Sequence, residues 1–375
     1  MEWPHRMEYL CPMRIWTLAF ATAFAALAVT NRAVTPPPPA VACTTATAVC
    51  TEGVILGGGP GHSMIYRTYA LDTRNDNIRR ALVMVHGTNR NADHYFETAT
   101  AAAFLAGALD DTVVIAPHFI DATDKPETNE IVWESSWRTG GPSRTPAGLA
   151  AFDLVDEILH KLAKKTVFPN LKGIVVTGHS AGGQFATRYE MSNTVHNTLG
   201  VPVTYVVANP SSYAWPDAVR PLPQDDADPA AARDGWNLSP NADPLPPHTK
   251  FTFGPFDATK APAYNRWPAG LENRTGYTEH MTNEQLIKQL VERPTTYLLG
   301  QVDTLPLGGF DSSATAMAQG PPRRARGEAF FKFVPEKLGA THKIIIVPEC
   351  GHNDRCIFTT NMVFPAIFPK VESGR

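Results

Sequence analysis

Gly173-Ile174-Val175-Val176-Thr177-Gly178-His179-Ser180-Ala181-Gly182-Gly183 is the stretch whose reading decides how this chain folds. The β-branched run 174–177 reads as a buried strand. Residues 184–191, just beyond it, read as a helix. Between them lies G-x-S-x-G at a sharp strand-to-helix turn. A serine there is held in strained backbone geometry with its hydroxyl raised above the sheet. Gly178 and Gly182 are required because strand and helix approach too closely for side chains. Ser180 is therefore the expected nucleophile.

Outward from this turn, short β-branched runs at 81–85, 112–116, 203–207, 295–299 and 343–347 alternate with helical stretches. That alternation is the pattern of a mostly parallel sheet flanked by helices, an α/β fold. Residues 150–165 place Leu154, Val155, Ile158, Leu159 and Leu162 on one face of an amphipathic helix. Weaker periodicity marks a helix over 327–338, with Pro335 near its end, and another over 283–292. Residues 54–71 read as an antiparallel hairpin turning at Gly57-Gly58-Gly59-Pro60-Gly61. No Gly-Lys-Ser/Thr follows those glycines, so they make a turn and not a phosphate loop.

At 375 residues and 43% hydrophobic, the chain can bury a large core. Its net charge is −3 with scattered lysines and arginines, which leaves no electrostatic footprint for nucleic acid. Residues 1–42 read as a signal peptide with a Pro-rich leader. The apolar stretch 15–29 follows Arg14 and is shorter than the roughly 20 residues of a membrane span. Ala40-Val41-Ala42 is a small-residue cleavage site. Ala42-Cys43 also fits a lipoprotein site, and a retained N-terminal anchor is a further reading. Residues 43–375 then form a single domain, secreted or periplasmic, with no stable span after signal removal.

Cys43, Cys50, Cys350 and Cys356 fit an oxidising compartment. Four cysteines permit three pairings, of which the local loops 43–50 and 350–356 are the simplest. Zinc is the competing reading, yet no C-x-x-C or H-E-x-x-H spacing is present and no metal site is expected.

A serine hydroxyl is a weak nucleophile near neutral pH. It needs a histidine to take its proton and a carboxylate to hold that histidine's tautomer. His352 follows the last strand run, in Glu349-Cys350-Gly351-His352-Asn353-Asp354, and Asp303 follows the run 295–299. Asp311 and Asp354 are the competing acids. Asp311 reads better as a helix cap, and Asp354 lies too near His352 in sequence to face its far ring nitrogen. A bridge between Cys350 and Cys356 would restrict the loop that carries the base.

These residues resemble the α/β-hydrolase superfamily over roughly residues 54–368. The resemblance rests on H-G-T-N at 86–89, G-H-S-A-G at 178–182, the Asp303 loop and G-H at 351–352. It implies the chain order Ser180, Asp303, His352 for a catalytic triad. It also implies an oxyanion hole from the backbone N–H groups of Ala181 and Thr88, with His86 supporting that loop. His179 reads as a packing or hydrogen-bonding residue beside the turn. The insertion at about 210–282 implies a lid. The H-G-x-x-x-N-A opening and the export signal resemble secreted polyester depolymerases and feruloyl-type esterases, which cleave carboxylic esters through an acyl-enzyme without a cofactor. A separate substrate-binding or linker domain, common in secreted depolymerases, is not recognisable.

Aromatic residues after strand ends can wall an acyl pocket. Trp137 and Tyr213 are the expected substrate-binding residues, whereas Trp236 and Trp267 read as pins for proline-rich loops. The expected activity is hydrolysis of a small or polymeric carboxylic ester. An amidase or peptidase using the same triad, and a non-catalytic binding protein on this scaffold, remain alternatives.

Overall fold

The computed structural model describes residues 41–223, 251–320 and 322–371, all within the compact unit Pro39–Arg375. Residues 1–40 of the segment 1–42 expected to be a signal peptide and leader, Trp236 and the centre of the insertion lie outside the described residues. The eight strands of the main sheet are β1 (Thr51–Ile55), β2 (His62–Arg67), β3 (Arg80–Val85), β4 (Thr112–Pro117), β5 (Gly173–His179), β6 (Val203–Ala208), β7 (Thr295–Gly300) and β8 (Lys343–Val347). Their spatial order is β1-β2-β4-β3-β5-β6-β7-β8. The β1–β2 hairpin and the β2–β4 pair are antiparallel, and every other pairing is parallel.

A parallel sheet covered on both faces needs apolar side chains pointing both ways. In β3, Ala81, Val83 and Val85 enter the core beneath α2 (Ala151–Leu162) and α3 (Ala181–Ser192). Leu82 and Met84 enter the opposite core with Phe96 and Ala99 of α1 (Ala92–Leu105). All five apolar positions expected of α2 are fully buried. The helix stops at Leu162, short of Lys165, where only Ala163 continues the apolar face before the polar run Lys164-Lys165-Thr166. A third core joins Tyr297 of β7 to Leu286 and Leu290 of α4 (Asn283–Glu292) and to Phe330 and Phe333 of α5 (Arg323–Leu338). This last helix begins four residues earlier than its apolar pattern indicates, with Arg323 and Arg326 buried in its first turn.

Of the three pairings open to four cysteines, the local one is formed, with bridges Cys43–Cys50 and Cys350–Cys356. The described flanks of the insertion pair as an antiparallel ribbon, Val219–Pro223 with Phe251–Pro255. Phe251, Leu271 and Met281 are buried in the third core. Among the described residues, no helix is long and apolar enough to cross a membrane.

Register brings the site together. Val85 pairs with Gly178, His179 with Ala208, and Gly300 with Val347. The loops after β3, β5, β6, β7 and β8 therefore leave the same edge of the sheet, at the C-terminal ends where ligands bind in open α/β sheets.

Candidate active site

Ser180 sits between β5 and α3 at φ 59° and ψ −116°. A non-glycine residue adopts that conformation only when its surroundings force it. Here three glycines provide the force. A Cβ on Gly178 would overlap the Gly182 backbone, one on Gly182 would overlap the Val85 carbonyl, and one on Gly183 would overlap that of Ala208. The Ser180 N–H donates to Ala208 O at 3.0 Å, which anchors the turn to the end of β6.

Ser180 Oγ lies 2.9 Å from Nε2 of His352, and Nδ1 of the same ring lies 2.9 Å from Oδ2 of Asp303. A neutral imidazole with its proton on Nδ1 fits both contacts: it donates to the carboxylate and accepts from the hydroxyl. Asp303 is almost fully buried. Its loop is stitched to the histidine loop, since Val302 N–H donates to Cys350 O at 2.9 Å and Gln301 N–H to Val347 O at 2.9 Å. Asn209 ties β6 to both loops: its side-chain oxygen accepts from Gly300 N–H at 2.8 Å, and its amide donates to Gly351 O at 3.3 Å.

The competing acids lie elsewhere. Asp354 faces α1, where its carboxylate meets His94 Nε2 at 3.1 Å and Thr98 Oγ1 at 2.8 Å. Asp311 is not the helix cap expected of it. The helix Ala314–Met317 is capped by Ser313, and Asp311 accepts the Ser313 N–H at 3.0 Å in the turn before it.

Two further histidines border the site, and burial keeps both neutral. His179 packs against His352 at a tilt of 37°, with ring centroids 4.5 Å apart. Its pKa is pushed well down, and it is held by Tyr95 Oη at 3.1 Å and Asn209 Nδ2 at 3.4 Å. The Asn209 amide can only donate, so Nε2 of His179 accepts and Nδ1–H faces the tyrosine. His86 is pushed down to about 3 by burial. Its Nε2 accepts from Phe119 N–H at 3.0 Å, which leaves Nδ1–H to donate to Gly87 O at 2.8 Å. It thereby fixes the loop that presents Thr88.

Ala181 is the first residue of α3, so its N–H has no acceptor within the helix. Thr88 is exposed on the turn after β3. Between Thr88 and His352 runs a loop that its sequence did not single out. A Cβ on Gly309 would lie 3.1 Å from Thr88 Cγ2, and one on Gly308 would lie 3.2 Å from His352 Cδ2. Arg323 holds this loop, donating from Nη2 to Leu307 O at 2.7 Å and Gly308 O at 2.9 Å.

The aromatic expectations need correction. Tyr213 is fully buried, stacked on Phe330 at 4.4 Å, and forms core where a pocket wall was expected. Trp137 is buried too, flat against Phe119 at 5.0 Å and edge-on to His86 at 4.8 Å. It braces the Thr88 loop from below. Both sit after strand ends, yet their side chains turn into the protein.

Comparison with known proteins places the fold. A model of the alpha/beta hydrolase family matches residues 82–362. Among solved structures, a poly(3-hydroxybutyrate) depolymerase from Bordetella parapertussis is similar at 18% identity, over 84% of this chain and 87% of that one, with a TM-score of 0.55. Poly(aspartic acid) hydrolase-1 from Sphingomonas sp. KT-1 is similar at 20% identity, over 82% and 95% of the two chains, with a TM-score of 0.50. At these identities the likeness is one of fold. No curated protein sequence matches the chain significantly.

Proposed function

Because this chain belongs to the alpha/beta hydrolase family, we propose that it is an exported serine esterase in which Ser180, His352 and Asp303 form the catalytic triad. The observation that carries this reading is the unbroken line of two 2.9 Å contacts through the His352 ring. His352 takes the Ser180 proton as Oγ attacks the ester carbonyl. The N–H groups of Ala181 and Thr88 receive the oxyanion, and each such donor typically lowers the barrier by about 3–4 kcal/mol. The intermediate collapses, and the leaving alcohol departs with the proton from His352. Water, deprotonated by the same imidazole, then attacks the acyl-enzyme, and the acid and free Ser180 are regenerated.

Export is the companion proposal. It rests on the apolar stretch 15–29 and on two disulfides, which persist in oxidising compartments. The residues from 43 onward act as one domain, with the insertion at about 210–282 as its candidate lid.

Turnover of p-nitrophenyl esters measured beside a panel of peptide substrates tests the reaction class. Ester cleavage with little peptide cleavage is the expected result. The reverse pattern would assign the same triad to an amidase or peptidase, and inert protein on both panels would leave a binding scaffold.

A further inference from the structure

The loop after β6 carries two hydroxyls, those of Ser211 and Ser212. Ala208, at the end of that strand, accepts the Ser180 N–H, and Gln184 of α3 donates to Ser212 Oγ at 2.8 Å. Behind the loop stand three arginines, Arg188, Arg323 and Arg326, each at most 1% exposed. Arg323 Nε donates to Ser211 Oγ at 2.8 Å, and Arg188 Nη2 donates to Ser212 Oγ at 3.3 Å. Arg326 donates to the Ser211 carbonyl.

These contacts decide what the hydroxyls can still do. A serine oxygen whose lone pairs receive N–H donors keeps one unspent function, its own proton. Among the described residues neither the Ser211 nor the Ser212 hydroxyl has an acceptor for that proton. Both residues keep a small exposed surface, 4% and 6%. Two buried or nearly buried O–H donors are thus left to meet an oxygen that the protein does not supply.

The charge balance points the same way. Among the described residues, only Arg323 of the three contacts a carboxylate, that of Asp303. Asp311 acts on all three from a distance without pairing with any of them. A fourth guanidinium, Arg138, is half-buried on the 3-10 helix Ser135–Thr139, which packs against α3. It is near enough to Arg188 to contribute to lowering that group's pKa, and it has no carboxylate partner among the described residues. Burial brings Arg188 and Arg326 down to about 9, so both stay cationic at neutral pH. Three buried cations lie against the Ser211–Ser212 loop, and among the described residues only one carboxylate, that of Asp303, pairs with any of them. An aliphatic acyl chain gains nothing from that field, whereas a second anionic oxygen does.

We propose that the ester this protein accepts carries a free carboxylate, received by the Ser211 and Ser212 hydroxyls and by Arg138. This rests on the esterase reading and names its substrate class. The buried arginines polarise the two hydroxyls and do not touch the substrate. Arg138, the accessible cation, completes the recognition.

The test compares monoethyl adipate with diethyl adipate by ethanol release at low salt. Arg138→Gln is run in parallel, and calorimetry measures adipate binding to both proteins. The monoanion should win in kcat/KM by about tenfold or more, the scale of one charge-assisted contact, chiefly through KM. Added salt should shrink the advantage because Arg138 is partly exposed. Arg138→Gln should bring the ratio of the two substrates toward one and weaken adipate binding. Equal turnover of the two esters, or better turnover of the diester, would overturn the proposal. If neither ester is cleaved the esterase reading falls, and calorimetry still decides the anion site: adipate binding that ignores Arg138→Gln, or none at all, counts against it.

Discussion

Arg323 and His352 hold opposite oxygens of Asp303: the guanidinium Nη1 meets Oδ1 at 3.4 Å, while the imidazole Nδ1 meets Oδ2 at 2.9 Å. The same guanidinium reaches Ser211 and the carbonyls of Leu307 and Gly308, so a single buried side chain positions Asp303 and the loop that flanks His352.

Arg323→Lys keeps the cation but loses the planar fork that spans these acceptors. Its kcat should fall by about tenfold to a hundredfold, the cost of displacing a reacting group by around an ångström, with KM little changed. Steady-state kinetics on a p-nitrophenyl ester checks this. A variant with full kcat would make Arg323 a packing residue only.

Glu190 gives a pH prediction. It is fully buried on α3 with neither carboxylate oxygen hydrogen-bonded, and burial pushes it up to about 8. His342 Nε2 lies 4.0 Å away and is itself pushed down by burial. The folded protein keeps this proton where the unfolded chain, titrating near the ordinary 4.5, has lost it. Between those two values the native state binds more protons, so this contribution to stability declines as pH rises. Glu190→Gln cannot ionise. Thermal melts should show it close to the parent near pH 5 and more stable than the parent at pH 8. A gap that does not widen with pH would contradict this.

The Cys350–Cys356 bridge closes a short loop around His352. In the chain-entropy model a loop of that size contributes about 2 kcal/mol of stability. The paired Cys350→Ser, Cys356→Ser variant should melt lower by a corresponding amount. It should also lose kcat, because the Cys350 carbonyl that holds Val302 then sits on a freer loop. Unchanged melting and turnover would show that Asn353, which caps the helix Asp354–Phe358, suffices to hold the loop.

What the sequence revealed and what it hid separate on physical grounds. The turn at Ser180, the sheet strands and α2 were legible because glycine spacing and apolar periodicity are local signals. The placement of Asp303 and His352 in line with Ser180 was legible because each follows a recognisable strand. Arg323 and Arg326 were not: arginines read as a solvated face, yet both are fully buried at the start of α5 by acceptors far away in sequence. Asn209 and the 307–309 loop gave no signal for the same reason, since their roles exist only through tertiary contacts. Tyr213 and Trp137 misled because a position after a strand end says nothing about which way the side chain turns.

The most direct measurement is peptide mapping by mass spectrometry after treatment with a fluorophosphonate. A single adduct on Ser180 is expected, forming rapidly in the parent, slowly in His352→Ala and not at all in Ser180→Ala. Folded parent protein that takes no label, or takes it on another serine, would refute the Ser180–His352–Asp303 assignment.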